Sequence, residues 1–164
     1  MAGHFLSEMI NSSKEWLNQT NMKNHISDVS PLATQMSRLV GLGLASKIYR
    51  NNKIKNSSKF SNNGNEIVWG SIGNASTSQG IFFEAVNACG VLQIPAIISI
   101  WDDGYGISVE NKYHTTKESI SKVLSGFKLT KNQSGIEILE VKGWDYSSLM
   151  KTYSYAENIA RNYH

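Results

Sequence analysis

Two short apolar runs on either side of one helical stretch constrain the fold more than any other feature of this sequence. Residues 66–72 (EIVWGSI) and 96–101 (AIISIW) each have the length and composition of a buried strand. Between them, residues 80–93 (GIFFEAVNACGVLQ) repeat apolar side chains at helical spacing. Because strands that alternate with helices form parallel sheets, the sequence predicts an α/β fold: a doubly wound, mostly parallel sheet with helices on both faces.

The other predicted elements extend this alternation. We predict helices over residues 31–49, 117–127 and 146–163, and a third strand over residues 135–141 (GIEILEV). Thr77 and Ser78 are typical helix N-caps for the helix that follows them. Residues 1–29 are polar and weakly periodic, so we expect irregular structure there, within a single domain that spans residues 1–164.

Composition excludes several classes of partner. The net charge is only +3, and the basic stretch 47–59 is rich in Asn and Ser, which favours a solvated loop over a nucleic-acid surface. No apolar run approaches the roughly 20 residues of a membrane span. Cys89 is the single cysteine and lies in an apolar helical pattern, which is typical of a buried thiol in a reducing compartment. We therefore expect a cytoplasmic protein that binds neither nucleic acid nor membranes.

Polar and small residues follow both predicted central strands. Gly73, Asn74 and Ala75 follow the first strand, and Asp102 and Asp103 follow the second. The carboxyl ends of parallel strands meet at one edge of a sheet, where ligands bind. Small residues before a helix suit a phosphate, and carboxylate and amide oxygens suit Mg²⁺. A plain pair of turns explains the same residues, because Asp and Gly are common turn formers, and the residues alone leave both interpretations open.

Several spaced blocks resemble the alpha subunit of the decarboxylating component of thiamine-diphosphate-dependent 2-oxo acid dehydrogenases. GNA at 73–75 and TSQG at 77–80 stand where that family has Gly-Asp-Gly and Thr-Ser-Glu-Gly. DDGYGIS at 102–108 stands where it has Asn-Asn-Gly-Tyr, a small residue and Ile-Ser. SPLATQ at 30–35 is similar to the branched-chain members, and MAGHF at 1–5 to their Met-x-x-His stretch. The resemblance covers nearly the whole chain.

The resemblance implies a magnesium site made by Asn74, Asp103 and the backbone carbonyl of Tyr105. The acid and the amide have exchanged places relative to the family, and they remain 29 positions apart. One carboxylate and one amide oxygen are kept, so we expect the site to bind the cation that neutralises a diphosphate. Asp102 is interpreted as a turn cap that faces water.

Further positions follow from the resemblance. It implies cofactor contacts at Ser30, Leu32, Gly73, Asn74, Ala75, Asp103, Tyr105 and Ile107, a monovalent cation such as K⁺ at Thr34 and Gln35, and a substrate contact at His4. A helix-capping Thr34, a surface Gln35 and a solvated His4 are the alternatives. Trp101 stands where branched-chain members have an Arg that contacts the diphosphate; it packs beside the cofactor, at a subunit contact or in the core.

The implied function is oxidative decarboxylation of a 2-oxo acid, with transfer of the acyl group to a lipoyl acyltransferase component. Turnover then needs a pyrimidine-binding domain from a beta subunit or a fused second half, and nothing in this chain resembles that domain. We therefore expect a fragment of a longer chain that is inactive alone. The alternative is a non-catalytic, degenerate assembly subunit of the same fold. A flavodoxin-like signalling domain would explain neither SPLATQ nor the paired loops.

Overall fold

The central strand–helix–strand unit is present as predicted. A computed structural model describes residues 10–21 and 30–162 of the chain. Strands β1 (Val68–Gly73) and β2 (Ala96–Trp101) pair in parallel, with Val68 opposite Ala96 and Gly73 opposite Trp101. Helix α2 (Gly80–Leu92) connects them. Both strands therefore end at the same edge of the sheet.

Helices α1 (Gln35–Asn51) and α2 cover one face of this sheet. Met36 of α1 and Phe82 of α2 are fully buried and share a core cluster with Ile72 of β1. The contact between α1 and β1 is close, because a Cβ at Gly70 would lie 2.5 Å from Leu39 Cδ1. Burial of these apolar side chains fixes the sheet on this side.

Helix α4 (Tyr146–Asn162) covers the opposite face. The Tyr153 hydroxyl lies 2.6 Å from Ser99 Oγ of β2, and the Tyr153 ring is 4.6 Å from that of Trp69 of β1, centroid to centroid. The chain thus has helices on both faces of a parallel sheet, which confirms the predicted α/β class.

Helix α4 begins at a capped turn. Asp145 accepts hydrogen bonds from the backbone N–H and the hydroxyl of Ser148, at 3.0 and 2.6 Å. The bond from the Ser148 side chain is the largest cause of the lowered pKa of Asp145, because it stabilises the ionised carboxylate. The cap fixes where α4 begins.

The predicted third strand is wrong. Residues 135–141 do not form a strand, and their contribution to pairing is an isolated bridge between Lys128 and Ile136. Ile136 and Ile138 nevertheless pack against the core. The alternation of apolar residues in this segment therefore reflects burial of these side chains and not hydrogen bonding to a neighbouring strand. A cavity of about 490 Å³ lies between this segment, β2 and α4.

The predicted helix over 117–127 is present only in part. Helix α3 (Ile120–Val123) begins after Ser119, whose hydroxyl accepts the Lys122 N–H at 3.4 Å, and a 3₁₀ turn (Leu124–Phe127) follows it. A 3₁₀ stretch (Thr116–Glu118) with a positive φ at Lys117 precedes it. The segment is therefore a series of short turns.

The predicted N-caps at Thr77 and Ser78 are also wrong. These residues end a 3₁₀ helix (Ala75–Ser78), and α2 begins after Gln79, which makes no side-chain cap bond. Thr77 Oγ1 donates to the Asn74 carbonyl at 2.6 Å, and Ser78 Oγ donates to the His114 carbonyl at 3.0 Å. Both hydroxyls therefore hold the loop together instead of starting the helix.

The remaining short elements lie at the periphery. Strands β3 (Tyr105–Gly106) and β4 (Val109–Glu110) form a small antiparallel hairpin, and further 3₁₀ helices occur at Ser57–Lys59 and Asn111–Tyr113. Residues 10–21 contain turns and an isolated bridge between Ile10 and Trp16. The rest of the segment predicted to be irregular lies outside the described residues.

Two findings bear on membranes and thiol chemistry. In the described part of the chain, no helix combines the length and apolar character needed to span a bilayer. Cys89 is buried in α2, and burial raises the pKa of its thiol to about 11. Because the thiolate is the reactive form, Cys89 is a packing residue.

Candidate functional site

The loops that follow β1 and β2 lie in contact. We call residues 74–79 the β1 loop and residues 102–108 the β2 loop. The Asn74 N–H donates to the Trp101 carbonyl at 3.1 Å, where the two strands end. Gly106 lies so close to Ala75 that a Cβ at position 106 would be 2.6 Å from Ala75 Cβ. The position of Gly106 therefore needs a glycine for the loops to meet.

A chain of side-chain hydrogen bonds joins the two loops. Asn74 Nδ2 donates to Asn111 Oδ1 at 2.7 Å, and Asn111 Nδ2 donates to Asp102 Oδ1 at 3.0 Å. The Asn111 N–H also donates to the Gly104 carbonyl at 3.0 Å. Asn111 thus contacts both loops, although it belongs to neither. The sequence interpretation missed it, because residues 109–113 carry no motif and only the tertiary fold brings Asn111 here.

The two loops differ in burial. The Asn74 side chain is only 4% exposed, whereas Asp102 and Asp103 are exposed. Asp102 Oδ1 accepts the Gly104 N–H at 3.0 Å, and Asp103 Oδ1 accepts the Tyr105 N–H at 3.0 Å. Asp102 therefore caps a turn as predicted, but it also holds Asn111. The neutral amide occupies the buried position and the carboxylates occupy the solvated ones, which avoids burying a charge.

The donor chemistry of the junction fits a hard cation. Asn74 uses Nδ2 in its bond to Asn111, and Asn74 Oδ1 has no hydrogen-bond partner among residues 10–21 and 30–162. That oxygen, the Asp103 carboxylate and the Tyr105 carbonyl are donors of the type that Mg²⁺ prefers, and the magnesium site at these three residues stays a prediction. The described ranges contain no cluster of three or more His, Cys, Asp or Glu residues, the donor types that zinc sites use.

A cavity of about 260 Å³ lies beside the carboxyl end of β1. Its lining brings together three of the predicted cofactor residues: Ser30, Leu32 and Gly73. Space is open where a Cβ at Gly73 would lie, so a ligand can approach that backbone closely. Trp101 forms part of the same wall. The cavity therefore reaches the ends of both strands. The other predicted cofactor residues are not part of its lining: Asn74, Ala75, Asp103, Tyr105 and Ile107.

Thr34 and Gln35 make local contacts. Thr34 Oγ1 donates to the Pro31 carbonyl at 3.0 Å and makes no cap bond to α1. Gln35 Nε2 donates to the Ser71 carbonyl at 3.0 Å and so ties α1 to β1. The predicted helix-capping alternative for the Thr34 side chain is therefore wrong, and the monovalent cation at Thr34 and Gln35 stays a prediction.

Two large apolar side chains project from this edge. Trp101 is 70% exposed, with its Nε1 donating to Ser99 Oγ at 3.1 Å, so the alternative of a core tryptophan is wrong. Ile107 is fully exposed at the turn of the β3–β4 hairpin, with φ 59°. A β-branched residue at positive φ is strained, a feature that clusters at functional sites.

His4, which the resemblance gives as a substrate contact, lies outside the described residues.

The fold and this site define an α/β domain with an amide-rich, cation-compatible junction at the strand ends. The sequence model of the dehydrogenase E1 component family matches residues 3–164. The chain therefore belongs to the dehydrogenase E1 component family, and it is an alpha-subunit domain of a thiamine-diphosphate-dependent 2-oxo acid dehydrogenase. A comparison with curated proteins gave no match.

Proposed function

We propose that this chain holds the diphosphate end of thiamine diphosphate through Mg²⁺. The protein ligands are Asn74 Oδ1, the Asp103 carboxylate and the Tyr105 carbonyl. The observation that supports this is the hydrogen-bonded junction through Asn111, which keeps the two loops together and leaves Asn74 Oδ1 unpaired among the described residues. Magnesium combines one or two carboxylates with phosphate oxygens, as this arrangement requires.

The neighbouring cavity receives more of the cofactor. Ser30 and Leu32 line it, and the absence of a side chain at Gly73 lets a ligand approach the backbone there. When bound, thiamine diphosphate supplies the nucleophilic carbon and the electron sink for loss of carbon dioxide. The residues of this chain bind and orient that group.

The proposal includes an assembly. A beta subunit or fused pyrimidine-binding domain completes the cofactor site, and a lipoyl acyltransferase component receives the acyl group. The SPLATQ stretch at 30–35 is similar to the branched-chain members, and the sequence leaves the choice between branched-chain 2-oxo acids and pyruvate open. The buried, unreactive Cys89 is compatible with the reducing cytoplasm.

The test is an activity measurement on the full chain assembled with its beta subunit. We expect acyl transfer to a lipoyl acceptor that requires Mg²⁺, thiamine diphosphate and a 2-oxo acid. Asn74→Leu should abolish it. Lys112→Ala, which removes an exposed ion pair to Glu110 next to Asn111, is the matched control and should leave activity unchanged.

A second candidate, a non-catalytic assembly subunit, is favoured by one observation. The exposed Trp101 at the cavity wall replaces the Arg that the resemblance expects, so a cation that would bind the diphosphate is missing. Failure of the assembled protein to bind thiamine diphosphate in the presence of Mg²⁺ would therefore favour this candidate. Failure to bind the cofactor at all would contradict the proposed cofactor role.

A further inference from the structure

We infer that Asn111 is a positioning residue that, together with Asp102, sets which atom of the Asn74 amide faces the cation. The inference rests on the proposed function, because it concerns the same magnesium site. It assigns a role to two residues outside the proposed ligand set.

The orientation follows from what each group can donate. An ionised carboxylate only accepts hydrogen bonds, so the Asn111 atom 3.0 Å from Asp102 Oδ1 must be the amide nitrogen, Nδ2. The other end of that amide, Oδ1, then faces Asn74 and accepts its Nδ2 at 2.7 Å. Asn74 is left with its oxygen directed away from Asn111. Each of the two hydrogen bonds therefore has one possible donor. Asp102 determines both donors, because its carboxylate can only accept.

The site needs this device because its buried ligand is an amide. A carboxylate offers two equivalent oxygens, so an acid at position 74 would present a ligand oxygen in either rotamer. An amide has one oxygen and one nitrogen, and only the oxygen binds a cation. Asn74 is 4% exposed, and its amide nitrogen is held by a protein partner, Asn111 Oδ1. With an amide in place of an acid at position 74, a partner has to orient the side chain so that its oxygen faces the cation, and Asn111 is that partner.

Asn111 is itself held firmly. Its N–H donates to the Gly104 carbonyl at 3.0 Å, and its own carbonyl accepts the N–H groups of His114 and Thr115 at 3.1 and 2.7 Å. These backbone bonds fix the start of the 3₁₀ helix Asn111–Tyr113 and so the direction of the side chain. Because Asn111 is fixed, the orientation that Asp102 imposes on its amide also determines the orientation of the Asn74 amide.

The test is a double-mutant cycle on the full chain assembled with its beta subunit. Thiamine diphosphate is titrated calorimetrically at fixed Mg²⁺ into the unsubstituted protein, Asn111→Ala, Asn74→Asp and the double variant. We expect Asn111→Ala to weaken binding about five- to tenfold, the equivalent of one lost hydrogen bond. In the Asn74→Asp background the same substitution should not weaken binding, because an ionised carboxylate at position 74 cannot donate to Asn111 Oδ1 and offers a ligand oxygen in either rotamer.

Asp102→Ala is the second variant, and it leaves Asn111 in place. Without the carboxylate, the two orientations of the Asn111 and Asn74 amides become similarly populated. Binding should therefore weaken about twofold when Asn74 is present and should not change in the Asn74→Asp background. Lys112→Ala is the matched control on the same turn and should change nothing. Thermal unfolding midpoints confirm that each variant is folded before it is titrated.

The outcomes separate the two proposals. An equal loss in both backgrounds would make Asn111 a structural residue and overturn the inference, as would no loss in the unsubstituted background. Failure of the unsubstituted assembly to bind thiamine diphosphate at any Mg²⁺ concentration would overturn the proposed function and the inference with it. Normal binding that is independent of Asn111 would overturn the inference alone.

Discussion

The β1 loop and the β2 loop carry similar polar residues in opposite environments. In the β1 loop, Asn74 and Thr77 are each only 4% exposed. In the β2 loop, Asp102 and Asp103 face solvent, and Ile107 is fully exposed. The family pattern that the sequence resembles has the acid in the first loop and the amide in the second. This chain places the charge where water can solvate it and the neutral group where water is excluded.

The difference bears on the protein without its cation. A buried carboxylate is destabilising until a counter-charge arrives, whereas a buried amide needs only hydrogen bonds. Asn74 has such a bond to Asn111, at 2.7 Å. The loop junction of this chain therefore does not need a cation to neutralise a buried charge, and in the proposed site the only charged protein ligand is the exposed Asp103.

The largest effect is expected from removing the buried amide. Asn74→Leu deletes a cation ligand and the bond to Asn111, so Mg²⁺-dependent binding of thiamine diphosphate should weaken about 100-fold or more. Calorimetry on the assembled protein measures this. Asn87→Leu makes the same substitution at an exposed position of α2 and is the control. A tenfold or smaller loss for Asn74→Leu would mean that the buried loop is not the main anchor.

Forcing the loops apart tests their contact directly. In Gly106→Ala the added Cβ would lie 2.6 Å from Ala75 Cβ, so we expect a loss of about 1–3 kcal/mol in the free energy of unfolding. Gly126→Ala adds the same methyl group where nothing lies within 4 Å and should be nearly neutral. Urea unfolding compares the two. Equal stabilities would show that the loops do not need this close approach.

Restoring the family arrangement tests the electrostatic difference. In the double variant Asn74→Asp, Asp103→Asn, burial should raise the pKa of the new acid above its unfolded value of about 4. A group with a raised pKa in the folded state makes its full contribution to stability below its unfolded pKa, here about pH 4. That contribution is lost as the pH rises through the pKa of the folded state. If the pKa rises by about one unit, stability relative to the unsubstituted protein should fall by about 1 kcal/mol between pH 4 and pH 7, and Mg²⁺ should restore it.

Urea unfolding at both pH values, with and without Mg²⁺, measures that change. If the variant and the unsubstituted protein responded identically to pH, burial of position 74 would not explain the exchange of acid and amide. Lys112→Ala serves again as a control for the nearby exposed charges.

The smallest effect is expected at Trp101. Trp101→Arg places a guanidinium at the wall of the 260 Å³ cavity, where it should strengthen thiamine diphosphate binding about two- to fivefold. The effect is small because the position is 70% exposed and the charge is screened. Trp101→Gln separates the added charge from loss of the indole. Weaker binding with Arg would show that the indole itself contacts the cofactor.

The sequence predicts those parts of the fold that depend on local periodicity. Strands β1 and β2 and helix α2 follow from apolar spacing, because each buries a face dictated by its own pattern. Residues 135–141 show why the approach fails elsewhere: Ile136 and Ile138 alternate and pack against the core, yet the one bridge that Ile136 makes is to Lys128. Apolar alternation specifies burial and leaves the hydrogen-bond partner undetermined.

The site shows the same division. Asn74 and Asp103 are recognisable because they sit at fixed positions after two strands. Asn111 is not recognisable, because its role comes from a contact 37 residues from Asn74. Thr77 and Ser78 resemble helix caps in sequence, but their hydroxyls bond to the Asn74 and His114 carbonyls instead. Tertiary partners override local preferences at both points.

The most direct test of the shared cation is a crystal structure of the assembled protein with Mg²⁺ and thiamine diphosphate. We predict one Mg²⁺ about 2.1 Å from both Asn74 Oδ1 and an Asp103 oxygen, with the diphosphate completing its shell. A cation bound to Asp103 without Asn74, or a diphosphate held away from both loops, would contradict it.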